Sequence, residues 1–155
     1  MNRRQLTVPA DHFQFYMEDE RSSADTSTIW DNQRSSDRLA TGPGLIAVGT
    51  ARYGGWVRVE FELRDTPPVE TLDQWDHVVG CSVQLPTGRI LFRAPVVSGM
   101  EQEPIEIAPG SYQARVCYAG LDTVSDEEAE TGDDYYRIVL WPGVGIETTV
   151  LKRSP

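Results

Sequence analysis

The chain has 155 residues with 14 basic and 24 acidic side chains, which gives a formal net charge of −10 at pH 7. A chain of this length fits one domain, expected to span residues 1–155, that buries about 70% of the unfolded surface and folds without staples. The acidic excess argues against direct binding of nucleic acid, because such binding depends on Lys and Arg that displace counterions from phosphates.

The chain begins with two β-prone stretches. Residues 5–8 favour a short strand, and residues 12–17 alternate between two faces. Phe13, Phe15 and Met17 fall on the same face of this second stretch. We therefore predict a strand over 12–17 with these three side chains on one face and His12, Gln14 and Tyr16 on the other.

The polar region that follows has Trp30 as its one aromatic side chain. A short helix over 31–40 is predicted there, capped by Thr28 or Asp31 and stopped by Gly42-Pro43. An ordered surface loop held in place by Trp30 is the alternative.

Two hairpins are predicted in the middle of the chain. Residues 44–50 form a small apolar run, and the Tyr53-Gly54-Gly55 sequence after it predicts a tight turn into the strand 57–63. The strands 77–85 and 89–93 are predicted to form the second hairpin, around Pro86-Thr87-Gly88.

The last third of the chain contains two strands, one that follows Pro109-Gly110 and runs to Tyr118 and one over 135–141, joined by an acidic segment. Pro109-Gly110 supplies the turn that opens the first strand. A final run, 144–151, is expected to pair loosely with Trp141. Along the first strand every second side chain is apolar and is expected to face the core, namely Tyr112, Ala114, Val116 and Tyr118. Eight to ten short strands separated by turns predict an all-β, single-domain antiparallel β-sandwich.

The two cysteines are expected to stay reduced. Cys81 has the inward parity of its strand, whereas Cys117 shares the parity of Gln113 and Arg115, so the two Cβ atoms do not point at each other. No signal segment and no apolar run of membrane-spanning length is present, so the sequence predicts a cytoplasmic protein without membrane contact.

Few residues could carry catalysis. His77 directly follows Asp76, and adjacent residues of an extended chain point to opposite faces, so this carboxylate cannot orient the imidazole. The sequence has no G-x-S-x-G motif, no glycine-rich phosphate loop and no zinc spacing among its two His and two Cys residues. We therefore predict that the protein is not an enzyme and has no cofactor.

The segment 122–134 holds seven acidic residues and no Lys or Arg. It is interpreted as a contact surface for a basic protein, as a Ca²⁺ site or as a solvated loop without a binding role. The D-x-D-x-D spacing with a central glycine is missing, so no metal ligand is assigned. The residues predicted to bind a partner are Trp30, Asp122, Asp126, Glu127, Glu128, Glu130, Asp133 and Asp134.

The other large aromatic residues lie near predicted strand ends or turns. Such residues usually close the ends of a sandwich core, but Trp and Tyr also dominate the hot spots of protein interfaces. One residue of this set is therefore a candidate partner anchor. The set comprises Tyr53, Trp56, Trp75 and Trp141.

Four features occur in a fixed order along the chain. They are Phe13-x-Phe15 followed by Asp19; Trp30 ahead of a Gly44-x-Ile46 strand that leads to Arg52; the Gly88 hairpin; and Pro109-Gly110-x-Tyr112-Gln113 followed by Tyr135 and Ile138. Together they resemble the competence-J family, cytoplasmic inhibitors of the bacterial DNA-entry nuclease. The acidic segment is not part of the matched pattern.

The resemblance implies a bacterial β-protein that inhibits a nuclease by covering its basic, DNA-binding cleft. The charge agrees with this implication, because carboxylates would stand where phosphates otherwise bind. The alternative function is a ligand- or Ca²⁺-binding β-sandwich module.

Overall fold

The structure is a computed structural model that describes residues 2–69, 71–95, 103–125, 132–145 and 147–154. Within these residues it contains eleven strands and one short α-helix, α1. In chain order the elements are β1 (Asn2–Ala10), β2 (Gln14–Asp19), α1 (Asn32–Asp37), β3 (Leu39–Gly42), β4 (Leu45–Gly49), β5 (Gly55–Leu63), β6 (His77–Leu85), β7 (Arg89–Arg93), β8 (Ile105–Glu106), β9 (Gly110–Ala119), β10 (Tyr135–Pro142) and β11 (Thr149–Lys152).

The strands form two sheets. The larger sheet has the order β1-β5-β10-β9-β6-β11, and the smaller has the order β3-β4-β2-β7-β8. Neighbouring strands are antiparallel except β5 and β10, which run parallel. The predicted all-β sandwich is confirmed, with one strand more than the upper end of the expected number.

The core lies between the sheets and follows the period-two pattern of the sequence. The inward side chains of β9, from Tyr112 to Tyr118, are buried, as are those of β5 from Val57 to Phe61. They meet Phe15, from the smaller sheet, in one apolar cluster. Each fully buried large apolar side chain stabilises the fold by roughly 1.5–3 kcal/mol.

Both predicted hairpins are wrong, although their strands form. β4 belongs to the smaller sheet and β5 to the larger, so the Gly54-Gly55 turn carries the chain between sheets. The same is true of β6 and β7 around Pro86-Thr87-Gly88. Turn residues permit a reversal of the chain, but the partner of each strand is decided by which faces must be buried together.

The final strand also has a different partner from the expected one. β11 pairs with β6, through Thr149 opposite Gly80 and Val150 opposite Val79, and not with Trp141. Trp141 instead pairs with Gln113 of β9. β11 is therefore the edge strand of the larger sheet, next to β6.

The predicted helix exists but is shorter than 31–40. Its N-cap is Asp31, one of the two residues predicted to cap it. The Asp31 side chain accepts a hydrogen bond from the amide of Arg34. The helix ends at Asp37, because Arg38 adopts a left-handed conformation with φ of 60° and Leu39 begins β3. Gly42-Pro43 therefore lies at the turn between β3 and β4 and does not stop the helix.

Asp19 joins the two sheets at one end of the sandwich. Its buried carboxylate accepts hydrogen bonds from the amides of Thr87 and Gly88, at 3.0 and 3.2 Å. Burial alone would raise the pKa of Asp19, but these amides, the amide of Arg21 and the Thr87 hydroxyl lower it below its ordinary value. Gly88 has φ of 71°, and a Cβ there would lie 2.1 Å from the carbonyl oxygen of Ile107.

The outer face of the larger sheet carries an ion-pair network around the buried carboxylate of Glu62. Arg137 of β10 donates from Nη2 to Glu62 at 2.7 Å, and Arg3 of β1 donates to the other oxygen of Glu62 at 2.9 Å. Burial raises the pKa of Glu62, but the two arginines outweigh it and lower the pKa below its ordinary value. The network ties β1, β5 and β10 together on the side away from the core.

The two cysteines are free and lie on opposite faces of the larger sheet, as their parity along the strands predicted. Cys81 is in the main core, where burial raises its pKa to about 12, while Cys117 packs with Trp75 on the outer face. No helix among the described residues is long and apolar enough to span a membrane. The cytoplasmic location stays a prediction.

Candidate partner-binding surface

Several loops of both sheets meet at one end of the sandwich, which we call the loop end. The register places the end of β1 beside the start of β5, at Ala10 and Gly55, and the end of β9 beside the start of β10, at Ala119 and Tyr135. The turn between β1 and β2 joins them, because Phe13 donates its amide to the Tyr53 carbonyl at 3.0 Å. The opposite end holds the Asp19 and Gly88 turn described above.

A buried ion pair holds the loop end together. Arg52 donates from Nε to both carboxylate oxygens of Asp134, at 3.1 and 3.3 Å, and a further Arg52 nitrogen, Nη2, donates to the same carboxylate. The Tyr136 hydroxyl donates to Asp134 at 2.7 Å. Arg52 also donates to the carbonyls of Trp56 and Gly132 at 3.2 and 3.3 Å, so one guanidinium links three loop segments.

The prediction that Asp134 contacts a partner is therefore wrong. Its side chain is 0% exposed and faces Arg52, which is 4% exposed. The prediction grouped Asp134 with the acidic residues that precede it. However, β10 begins at the next residue, and the carboxylate of Asp134 points inward. Its charge supports the loop end from inside and is not presented to solvent.

The other predicted contact residues divide into two groups. Asp122 and Asp133 belong to the described residues and are exposed. They lie near the two ends of the segment between β9 and β10. Asp126, Glu127, Glu128 and Glu130 lie outside the described residues. Asp122 lines a shallow pocket of about 330 Å³ with Arg38.

Trp30 lies at the same end of the molecule. Its side chain is half-buried and donates from the indole Nε1 to the Gln14 side chain at 2.7 Å. It lines a second pocket, of about 280 Å³, together with His12, Phe13 and Arg38. Since Arg38 lines both pockets, the structure brings Trp30 and Asp122 to one surface, although 92 positions separate them in sequence.

Three aromatic side chains are exposed at the loop end, and we call Phe13, Tyr53 and Trp56 the aromatic patch. Their exposed fractions are 37%, 39% and 51%. The prediction that Phe13 shares a strand face with Phe15 is wrong, because β2 starts only at Gln14. His12 and Phe13 form a two-residue turn with φ of 51° and 63°, which breaks the alternation.

The sequence contained a partial signal for this patch. Tyr53 and Trp56 were among the strand-end aromatics considered as anchors, and Gly54-Gly55 between them marks a turn. The turn at Phe13 carries no such signal, because residues with positive φ in tight hairpins are usually Asn, Asp or Gly. Trp75 and Trp141, by contrast, are buried against the outer face of the larger sheet.

His77 and Asp76 do not form a catalytic pair. His77 lies at 0% exposure with Nε2 2.7 Å from the Asp37 carbonyl and with Nδ1 accepting from the Ser154 amide at 3.0 Å. The Asp76 side chain accepts from the Leu121 amide at 3.0 Å. Both side chains fasten neighbouring segments to β6.

Burial of the imidazole lowers the pKa of His77 below its ordinary value. The positive charges of Arg38 and Arg153 lower it further, and the carbonyl and carboxylate of Asp37 oppose this effect. His77 is therefore neutral in the folded protein and carries its proton on Nε2. No group of three or more His, Cys, Asp or Glu side chains within the described residues could hold a metal ion.

Comparison with known proteins identifies the fold. No family model matches the sequence, and no curated protein sequence matches it. Two solved structures do match. The product of crocagin biosynthetic gene J is 18% identical, with a TM-score of 0.63 over 93% of this chain and 100% of that chain. ComJ from Bacillus subtilis, an inhibitor of the DNA-degrading activity of NucA, is 13% identical, with a TM-score of 0.65 over 90% of this chain and 96% of that chain.

These matches cover nearly all of each chain, so the protein has the fold of ComJ. The resemblance to the competence-J family inferred from the sequence is confirmed at the level of fold. Several residues that carried it hold the fold together: Asp19 caps the Gly88 turn, and Arg52 is buried against Asp134.

Proposed function

We propose that the protein is a non-catalytic, acidic binding protein that inhibits a nuclease by covering the basic cleft in which the nuclease binds DNA. The observation that carries this proposal is the fold it shares with ComJ over nine-tenths of the chain. A shared fold does not by itself transfer function, so the charge and the surface of this chain must also suit the role.

The charge of the chain suits a basic partner. A net charge of −10 on 155 residues gives a negative potential that attracts a positively charged cleft and accelerates encounter. The same potential repels DNA, so an inhibitor of this kind does not compete for the nucleic acid itself. Its carboxylates occupy the positions of phosphates on the partner.

The loop end is the surface proposed to make the contact. Asp122 and Asp133 are exposed there, Trp30 is half-buried beside them, and the buried pair of Arg52 and Asp134 keeps the loops in place. Asp126, Glu127, Glu128 and Glu130 are proposed as further contacts because they belong to the same acidic segment of the sequence.

The test is an inhibition assay combined with the capture of a partner. Tagged protein is incubated with extract of its own cells at low and moderate salt, and the captured nuclease and NucA are each assayed for DNA cleavage with increasing amounts of the protein. We expect stoichiometric loss of cleavage by the captured nuclease and weaker capture at the higher salt concentration. Failure to capture or inhibit any nuclease would overturn the proposal.

Charge variants test which surface is responsible. Asp126→Asn, Glu127→Gln and Glu128→Gln together remove three charges from the acidic segment, and we expect them to slow association at least about tenfold at low salt. The matched control removes three exposed charges elsewhere, through Asp65→Asn, Glu103→Gln and Glu147→Gln. An equal effect of the two triple variants would show that only net charge matters and that the loop end is not the contact surface.

A further inference from the structure

We propose that the aromatic patch of Phe13, Tyr53 and Trp56 is the energetic centre of the partner interface and receives an arginine side chain from a basic segment of the partner. The inference rests on the proposed function, since it takes the partner to be a basic protein. It adds a contact of a different kind, because stacking on an aromatic ring is short-ranged whereas the attraction of carboxylates acts at a distance.

The patch is an exposed apolar surface that the fold does not need for its own core. Among the described residues, six large hydrophobic side chains are exposed by more than a third, and three of these six lie at the loop end. Trp, Tyr and Phe are enriched at the centre of interfaces, where they offer a large contact area at a small loss of side-chain freedom. The patch thus has the composition of an interface hot spot.

Phe13 and Tyr53 are held in place before any partner arrives. Their rings meet edge to face with centroids 5.3 Å apart, and His12 packs on Tyr53 at 5.1 Å. Two backbone hydrogen bonds fix the turn, from Phe13 to the Tyr53 carbonyl at 3.0 Å and from Thr50 to the Phe13 carbonyl at 2.7 Å. A patch that is already ordered loses little entropy when it binds.

The backbone of the turn is unfavourable for the residues that occupy it. A two-residue hairpin turn of type I′ has positive φ at both central positions and normally uses Asn-Gly or Gly-Gly. Here His12 and Phe13 have φ of 51° and 63°, and a bulky residue in this region is an outlier. A contact made by the Phe13 ring accounts for a bulky residue where glycine would suit the turn better.

Arg52 links the backbone of Trp56 to the segment that carries Asp133. The Trp56 carbonyl accepts from Arg52, and the same guanidinium donates to the Gly132 carbonyl, next to the exposed Asp133. An arginine of the partner can stack on an aromatic ring, and the net negative charge of this chain attracts its positive charge. A second copy of this chain is a poor occupant, because two chains of charge −10 repel each other.

The test uses two probes, a deca-arginine peptide and the nuclease captured by the protein. The patch variant combines Phe13→Gly, Tyr53→Ala and Trp56→Ala; glycine at position 13 suits the positive φ, so this change does not oppose folding. The control combines Val69→Ala and Val144→Ala, which shorten two other exposed apolar side chains. Thermal melting of each variant checks that it is folded.

We expect deca-arginine to shift the indole NH resonance of Trp56 in the wild-type protein, and the patch variant to bind both probes at least about tenfold more weakly, with faster dissociation. The control should change each dissociation constant less than twofold. Deca-lysine should bind more weakly than deca-arginine, because an ammonium group does not stack. Equal affinity of the wild-type protein and a folded patch variant for both probes would overturn the inference.

The outcomes separate this inference from the proposed function. If the protein captures and inhibits a nuclease and the patch variant does so equally well, the function stands and the inference about the patch is wrong. If no nuclease is bound but deca-arginine binds at Trp56 and loses affinity in the patch variant, the patch is a cation-binding surface and the proposed function is wrong.

Discussion

Replacing Asp134 with asparagine removes one charge from an ion pair that solvent does not reach. The side chains of Arg52 and Asp134 are 4% and 0% exposed, and the carboxylate accepts from both Arg52 and the Tyr136 hydroxyl. Asparagine has nearly the same shape, so the packing is kept. The Arg52 charge is then buried without an opposite charge at this position.

The expected cost follows from what Arg52 retains. Breaking a buried ion pair by removing one partner typically costs about 3–5 kcal/mol. Arg52 keeps the carbonyls of Trp56 and Gly132 as acceptors, and the side-chain amide of the introduced asparagine still offers one oxygen. We therefore expect a loss near the lower end, about 3 kcal/mol in the free energy of unfolding, and a fall of about 6–12 °C in melting temperature.

Urea unfolding followed by tryptophan fluorescence measures this loss. Asp133→Asn is the matched control, because its carboxylate is exposed and its removal should change the unfolding free energy by less than about 0.5 kcal/mol. The double variant Arg52→Gln with Asp134→Asn should lose less than the sum of the single losses, since the double variant leaves neither charge of the pair buried alone. A loss below about 1 kcal/mol for Asp134→Asn, or strict additivity in the double variant, would refute the reasoning.

Three further outcomes are expected. Gly88→Ala should destabilise the fold by more than about 2 kcal/mol in urea unfolding, because its Cβ would lie 2.1 Å from the Ile107 carbonyl oxygen at a φ of 71°. The unfolding free energy should fall as the pH drops from 7 to 5, because the lowered pKa of His77 makes the unfolded chain bind a proton more readily. A thiol reagent should label neither Cys81 nor Cys117 in the folded protein and both in denaturant, since both are buried and burial raises the pKa of Cys81 to about 12.

Each of these outcomes has its own control. Gly54→Ala places a Cβ 3.5 Å from the Ala10 carbonyl, an ordinary contact, and should cost less than Gly88→Ala. His77→Gln should reduce the fall in stability between pH 7 and 5, and an unchanged slope would assign it to other groups. Labelling of one thiol in the folded state would contradict the burial of that cysteine.

The secondary structure was largely readable from the sequence. The strands 77–85 and 89–93 match β6 and β7 in their bounds, and the alternation from Tyr112 to Tyr118 identified the buried face of β9. These features depend on residues two positions apart, and side chains of a strand alternate whatever the strand pairs with. The turns around Pro86 and Gly54 were likewise located from local chemistry.

The candidate site was only partly readable. Trp30 and Asp122 were both singled out, but nothing in the sequence placed them at one end of the molecule. Phe13 was placed in a strand with Phe15, because the positive φ of the turn before β2 has no signal in its residues. Asp134 was assigned to the surface, because an acidic residue in an acidic segment resembles its neighbours.

The sequence by itself determined an acidic all-β chain, the positions of most strands and the faces that they bury. Only the tertiary structure decided which strands pair, which end gathers the loops and which charges are buried. Arg52 meets Asp134 across 82 positions, and β5 runs parallel to β10 across a similar interval. The physical reason is that alternation and turn chemistry are local, whereas strand pairing and ion-pair burial gain free energy only from contacts between distant segments.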